Sequence, residues 1–159
     1  MMKPIRFLSV LMIVLVLCCG CQRTVNPEQK GNITLYQMAD DGSKLQSSEY
    51  EIQADQEDNV AVIQELLDCF KKCVAIDNFQ LKEKQLTITF LSSYYNQDKI
   101  DEVLNRAAIV KTLCQLSSVE YVEFYVGDNP LVIDGETVGI MSKLSFLDSV
   151  GGEGYTQEK

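Results

Sequence analysis

The sequence predicts a two-layer α/β (α+β) domain, in which an open mixed sheet of four to five strands is covered by two helices. Apolar residues recur at helical spacing in two stretches, about 59–73 and 99–116, and runs typical of strands lie before, between and after them. Each helix has one apolar stripe to bury, and an open sheet offers the surface for both. The 159-residue chain has room for one such domain.

Residues 1–20 are typical of a bacterial lipoprotein signal peptide. Lys3 and Arg6 form a short positive region, and residues 7–19 form an almost unbroken apolar run. A helix of about thirteen residues spans about 20 Å, less than the roughly 30 Å hydrocarbon core of a bilayer. We therefore expect a cleaved signal; an ordinary secretory signal and an uncleaved anchor are the alternatives.

Cys21 is the predicted lipid attachment residue. Residues 17–22, LCCGCQ, resemble a lipobox, in which a small residue such as Gly20 precedes the cysteine that receives diacylglycerol. Cys19 stays open as a second candidate. Each buried methylene of an acyl chain adds about 0.8 kcal/mol, so two chains hold a protein firmly. We expect a lipid-anchored protein on the extracytoplasmic face of the cell membrane.

The remaining chain divides into three predicted parts. Residues 21–30 form a polar tether, 31–148 the folded domain, and 149–159 a tail that we expect to be disordered. The formal net charge is −9 before the signal is removed. Nucleic acid and anionic headgroups repel such a chain, so neither is an expected partner.

The first half of the domain predicts two strands and a helix. Residues 32–38 alternate Ile33 and Leu35 with outward residues, 40–43 turn the chain, and a second extended piece covers about 47–53. Asp58 is the predicted N-cap of the first helix, about 59–73. Its apolar stripe consists of Val60, Ile63, Leu66, Leu67, Phe70 and Val74.

The second half predicts a central strand, a helix and a further hairpin. Residues 75–84 are a loop by default, whereas 86–91 are β-branched and aromatic and predict a central strand. The second helix covers about 99–116. Residues 119–126 predict a strand with Val122 and Phe124 on its apolar face, followed by a turn at 127–130 and a hairpin arm at 131–135.

Cys69, Cys73 and Cys114 would remain after cleavage, in a chain without histidine. The usual base for a cysteine nucleophile and the usual nitrogen ligand of zinc are therefore missing from the sequence. Cys69 and Cys73 are four residues apart on a predicted helix, a spacing of about 5–6 Å between Cβ atoms that strains a disulfide. We interpret the three as small packed residues; an exported redox pair is the alternative.

The sequence predicts no catalytic, cofactor-binding or metal-binding residues. Asp128, Asn129, Asp134 and Glu136 surround a turn without the spacing of an EF-hand, which indicates solvated turn residues. The sequence has no Gly-rich phosphate loop and no Gly-x-Ser-x-Gly elbow. Peptidoglycan hydrolysis by a carboxylate pair is the enzyme alternative, although sequence does not show the fixed separation that it needs.

Tyr94, Tyr95, Tyr121, Phe124 and Tyr125 are the candidates for an exposed aromatic contact patch. The alternative is core and sheet packing. Adjacent aromatic residues point to opposite sides, so one member of each pair is expected to face outward.

Three segments resemble the GerM-type sporulation and spore germination (GerMN) domain. They are Leu86–Tyr95 (LTITFLSSYY), Arg106–Leu116 (RAAIVKTLCQL) and Val119–Val126 (VEYVEFYV). The likeness continues to residue 139 and weakly back to Ile33, and it covers roughly 31–148. Family members usually carry a Gly-Pro after the first helix and a proline in the next loop, which 71–84 lack.

The resemblance implies a single GerMN domain without a catalytic motif. Family members are commonly lipoproteins or secreted proteins, and their fold resembles the small ring-building modules of envelope machines. It therefore implies a non-catalytic lipoprotein that binds envelope proteins, with a link to sporulation or spore germination. The alternative is an extracytoplasmic binding protein for a cell-wall or small-molecule ligand, which a deep apolar pocket with convergent polar groups would favour.

Overall fold

The structure, a computed structural model, describes residues 31–146. The helices are α1 (Asn59–Asp68) and α2 (Lys99–Leu113), with 3-10 turns at Ser92–Asn96 and Lys143–Phe146. The strands are β1 (Asn32–Met38), β2 (Leu45–Glu51), β3 (Ile76–Lys82), β4 (Gln85–Phe90), β5 (Tyr121–Val126), β6 (Asn129–Pro130), β7 (Val132–Ile133) and β8 (Glu136–Thr137). The predicted signal peptide, Cys21, the tether and the tail at 149–159 lie outside the described residues.

The main sheet has four strands in the order β3-β4-β5-β6. β4 pairs antiparallel with β3 and parallel with β5, and β6 returns antiparallel to β5. Leu86, Ile88 and Phe90 on β4 are fully buried, while the threonines between them are half-exposed. The predicted open mixed sheet, with the 86–91 run at its centre, is therefore confirmed.

β1 and β2 form a hairpin of their own, so they do not extend the main sheet. The pairing runs from Asn32 opposite Glu51 to Met38 opposite Leu45. The other edge of β1 meets side chains of α2 and of the turn that follows it. Thr112 Oγ1 accepts a hydrogen bond from Tyr36 N at 3.0 Å, and the Gln115 amide bonds to both the N–H and the C=O of Thr34. These side chains therefore form hydrogen bonds with backbone N–H and C=O groups of β1 that would otherwise pair with a neighbouring strand.

The prediction of a loop at 75–84 is wrong, because residues 76–82 form β3. Only one neighbour pairs with this edge strand, and its register shifts between Ile76 and Asn78. Phe79 and Leu81 alternate with exposed residues but are only half-buried, and the register shift interrupts the alternation with Ile76, so the hydrophobic pattern is short and weak.

The two helices end earlier than the sequence predicts. α1 stops at Asp68 rather than near residue 73, and the chain continues in turns, where Cys73 N and Val74 N both donate to Phe70 O at 2.9 Å. Phe70 and Val74 are nevertheless buried as the helical pattern predicts. α2 stops at Leu113 rather than 116.

α2 is the most enclosed element of the described chain. Residues 104–110 are all buried, including Asn105 and Arg106, because α2 packs between the main sheet and the β1–β2 hairpin. Ala107 and Ala108 have no exposed surface. This double burial makes α2 the centre of the core.

The described domain has two ends, defined by the direction of its strands. α2 connects the end of β4 to the start of the parallel β5, so α2 runs opposite to both. One end, here called the tether end, contains Gly31, residues 52–58, the end of α2 and the β3–β4 turn. A hydrogen bond from Ile52 N to Gly31 O, at 3.0 Å, joins the first two of these segments. The other, called the far end, contains residues 39–44, 69–75 and 91–96, the start of α2 and residues 127–137.

Candidate interaction surfaces

The three cysteines of the described chain are free thiols with different exposure. Cys69 and Cys114 pack partly against the core, as the sequence predicts, but Cys73 is exposed, so the prediction of a packed residue is wrong there. Burial raises the pKa of the Cys69 and Cys114 thiols above the ordinary value. A raised thiol pKa opposes formation of the nucleophilic thiolate.

The turn carboxylates predicted to be solvated are exposed. Asp134 Oδ1 accepts a hydrogen bond from Lys99 Nζ at 2.6 Å, an ion pair that joins the β7–β8 turn to the start of α2. Asp134 and Gly135 both have positive φ, as tight hairpin turns require. Within residues 31–146, no group of three or more His, Cys, Asp or Glu side chains is arranged to hold a metal ion.

The candidate aromatic residues divide between the core and the surface. Tyr94 and Phe124 are buried, and the Phe90 ring lies parallel to both, with centroid distances of 4.0 Å and 5.5 Å. Tyr95 is 50% exposed at the far end, and Tyr121 is 43% exposed at the start of β5. The outward member of each pair is as predicted, but these residues do not form one patch.

A buried charged network, which the sequence analysis missed, ties the 3-10 turn to α2. Glu102 receives two hydrogen bonds from the Arg106 guanidinium, at 2.8 Å and 2.9 Å, and one from the Tyr94 hydroxyl at 2.9 Å. Glu102 is 4% exposed and Arg106 8% exposed. Burial, together with the Glu102 charge, raises the pKa of Tyr94. The i, i+4 spacing of Glu102 and Arg106 is present in the sequence, but the same spacing is common on solvated helix faces, so it does not indicate that the pair is buried.

A second polar network joins β2 to α1. The Glu65 carboxylate accepts hydrogen bonds from the Tyr50 hydroxyl at 2.8 Å, Gln53 N at 2.9 Å and Ala54 N at 2.6 Å. Partial burial opposes ionisation of Glu65, but these three donors outweigh it and lower its pKa. The bond to Glu65 raises the pKa of Tyr50. Both networks are satisfied within the fold, and no buried side-chain polar atom of the described residues lacks a partner.

One face of the main sheet carries polar and aromatic side chains that alternate with the buried residues. Gln85 lies opposite Tyr121, Thr87 opposite Glu123, and Thr89 opposite Tyr125. Gln85 Nε2 donates to Glu123 Oε2 at 2.9 Å, so the ladder is internally bonded. The depression beside it opens to solvent and is lined by residues such as Gln80, Thr87 and Tyr121.

The far end holds most of the large hydrophobic side chains that remain exposed in the described chain. Five of these nine residues lie there, namely Leu91, Tyr95, Ile100, Val103 and Val132. Ile100 is 63% exposed in the first turn of α2, and Val103 follows three residues later. No helix within residues 31–146 is long and apolar enough to cross a bilayer.

Comparison with known proteins agrees with this architecture. The family model for Germane, described as sporulation and spore germination, matches residues 34–132. The first GerMN domain of the sporulation protein GerM from Bacillus subtilis is 14% identical, with a TM-score of 0.53 over 69% of this chain and 94% of that one. The tandem GerMN domains of the same protein are 12% identical, with a TM-score of 0.51 over 71% of this chain and 47% of that one.

At these identities the structural likeness shows the fold. Among curated protein sequences, none matches this chain. The family match covers more than half of the sequence, and it includes the segments on which the predicted resemblance depended. The chain therefore belongs to the Germane family of sporulation and spore germination domains.

Proposed function

We propose that this protein is a lipid-anchored module of the cell envelope that binds envelope proteins during sporulation or spore germination and catalyses no reaction. The observation that carries the proposal is the contrast between its interior and its surface. The buried ionisable groups are hydrogen-bonded to one another within the fold, whereas most of the exposed hydrophobic residues lie at one end. Such a surface is suited to contact with proteins.

The chemistry of the candidate nucleophiles argues against catalysis. The pKa values of Tyr94, Cys69 and Cys114 are raised, so these groups stay protonated at neutral pH. A hydroxyl or thiol nucleophile needs the opposite shift or a free base beside it, and the carboxylate beside the buried Tyr94 is already paired with Arg106. Glu102 already receives hydrogen bonds from Arg106 and Tyr94.

The alternative of a ligand-binding protein has weaker support. The groove between the β1–β2 hairpin and α1 is lined by Leu35, Tyr50, Glu65 and Cys69 among others, and it opens widely to solvent. Glu65, its central polar group, is already held by three donors. Ligand sites are typically enclosed and present free polar groups.

The proposed anchor sets the position of the domain relative to the membrane. Cys21 would carry the lipid, and residues 22–30 would extend about 30 Å at most. The tether joins the domain at Gly31, beside Ile52 and the end of α2. The far end would then point away from the membrane toward other envelope proteins.

The test is crosslinking of the full-length lipoprotein in its own membrane, followed by mass spectrometry, with an alkyne-labelled fatty acid to report lipidation. Cys21→Ala removes the proposed attachment residue, and Cys19→Ala is the matched control. We expect label and specific envelope partners with wild type and Cys19→Ala, and neither with Cys21→Ala. Absence of label from wild type would contradict the lipid anchor, equal labelling of Cys21→Ala would contradict Cys21 as the attachment residue, and cleavage of peptidoglycan by the pure protein would contradict the non-catalytic role.

A further inference from the structure

The exposed apolar residues of the far end lie on elements that side-chain hydrogen bonds join to one another. Tyr95 follows Tyr94, whose hydroxyl is fixed by Glu102 in α2. Ile100 lies in the same first turn as Lys99, whose ammonium bonds to Asp134 at 2.6 Å. The 3-10 turn, the start of α2 and the β7–β8 hairpin are therefore linked. They present their apolar side chains at one end of the described domain.

These side chains are exposed because the opposite side of each element is already packed. Ile100 and Val103 are three residues apart and so share one face of α2. Glu102 and Arg106 occupy the buried face, where they bond to each other. Ile100 keeps 63% of its surface exposed and Val103 43%, so the fold leaves much of this apolar surface in water. Burial against a partner would remove this apolar surface from water.

Carboxylates outnumber cations at the far end. Asp98, Asp128, Asp134 and Glu136 are exposed and Asp101 is half-exposed, while Lys99 is the one cation of the segments 91–103 and 127–137. The other far-end segments, 39–44 and 69–75, add two exposed carboxylates, Asp40 and Asp41, and three exposed cations, Lys44, Lys71 and Lys72. The Lys99 ammonium forms an ion pair with Asp134. Two copies of this surface would bring like charges together, so an isologous dimer is disfavoured. A partner with cations around an apolar centre fits instead.

From this placement we propose that the far end is a docking surface for a protein whose contact segment has an apolar centre flanked by Lys or Arg. The inference rests on the proposed function and adds to it the surface and the chemistry of the partner. Apolar contact at the centre would provide most of the affinity, and the acidic rim would select the partner and speed its approach. The tether joins the opposite end and leaves this surface accessible.

The test is site-specific photocrosslinking in the full-length lipoprotein in its host membrane. The probe is p-benzoylphenylalanine, placed at Ile100 or, as the matched control, at Val60. Each is the second residue of its helix, and they are 63% and 56% exposed. The amount of each variant in the membrane fraction shows that it is anchored, and its resistance to protease shows that it is folded.

We expect a protein adduct from position 100 and none of the same species from position 60. The crosslinked peptide should contain apolar residues flanked by Lys or Arg. Val103→Ser in the position-100 background should lower the adduct yield about fivefold to tenfold, because it removes apolar contact area at the centre of the surface. A serine control in α1 at Val62 is unsuitable because that side chain is buried. The control is therefore Ile140→Ser, at an exposed position, and it should not change the yield.

The charge requirement has its own matched pair. Asp128→Asn with Glu136→Gln removes two exposed carboxylates at the far end, whereas Asp55→Asn with Glu57→Gln removes two at the tether end. We expect the first pair to lower the yield severalfold at low salt and less at high salt, because salt screens exposed charges. The second pair should leave the yield unchanged.

Several outcomes would overturn the docking surface. These are an equal adduct from Val60, an adduct with phospholipid or with a second copy of this chain, an acidic contact segment, and no protein adduct from Ile100. If specific partners are still recovered by whole-surface crosslinking, the proposed function survives while the far-end inference fails. If no partner is recovered by either method, both fail.

Discussion

At the scale of single residues, the buried Glu102–Arg106 pair is both the least predictable feature and the most consequential for stability. We expect Arg106→Leu to lower the free energy of unfolding by about 3–5 kcal/mol, because it leaves the Glu102 carboxylate buried without its cation. Tyr94 would still donate one hydrogen bond to Glu102. Equilibrium denaturation of the mature chain in urea measures the change.

The control for this prediction replaces both partners. Glu102→Gln combined with Arg106→Leu removes the two charges together, and the double variant should recover part of the loss. A single variant as stable as wild type would mean that the pair contributes nothing net.

Glu65 predicts a dependence of stability on pH. Its folded-state pKa lies below the ordinary value of 4.5, so its contribution is fully present above pH 4.5 and is lost as the pH falls through the folded value. We expect Glu65→Gln to be destabilising at pH 7 and much less so near pH 3. Urea midpoints of both proteins at the two pH values measure this. An equal loss at both would indicate a role that does not depend on charge.

The three described thiols should react at different rates. Cys73 is exposed, whereas Cys69 and Cys114 are partly buried and have raised pKa values. We expect the folded protein to modify rapidly at Cys73 and slowly at the other two, as measured by maleimide labelling with mass spectrometry. Cys73→Ser should remove the fast phase. Uniform rates would contradict the described burial, and an unreactive Cys73 would indicate a disulfide.

At the scale of elements, the sequence predicted the strands and helices whose hydrophobic pattern is strong. β4 and β5 alternate cleanly because α2 covers one face, so their residues and central place could be predicted. β3 could not be predicted, since the alternation of this edge strand is interrupted by a register shift after Ile76 and its apolar residues are only half-buried. The separation of the β1–β2 hairpin depends on the side chains of Thr112 and Gln115, and local patterns do not report such long-range bonds.

The start of α1 was predicted from a single residue and can be tested there. Asp58 Oδ1 accepts hydrogen bonds from Val60 N at 3.0 Å and Ala61 N at 3.1 Å. We expect Asp58→Ala to cost about 1 kcal/mol, because two N–H groups of the first turn lose their acceptor. Asp58→Asn keeps an acceptor and should cost much less. A thermal unfolding curve that is the same for all three proteins would contradict the cap.

At the scale of the whole molecule, the family and the mixed sheet could be predicted because the best-matching segments are the core of the fold. The far-end surface could not, since its residues come from the β4–α2 connection, the start of α2 and the β7–β8 hairpin. Tyr95 and Ile100 are close in sequence, whereas Val132 lies on β7, whose turn is joined to the start of α2 by the pair between Lys99 and Asp134. Surfaces assembled from separate segments need the three-dimensional structure.

The orientation of the anchored domain is the prediction that joins the proposed anchor to the fold. Cys73 lies at the far end and Glu57 lies in the loop beside Gly31, and both are exposed. A tether that reaches about 30 Å at most keeps Glu57 nearer the bilayer on average than Cys73. In vesicles carrying a headgroup quencher, a dye on Glu57→Cys, in a Cys73→Ser background, should therefore be quenched more than a dye on Cys73. Equal quenching would show that the domain lies on its side, and the far end would then be no more accessible to an envelope partner than the tether end.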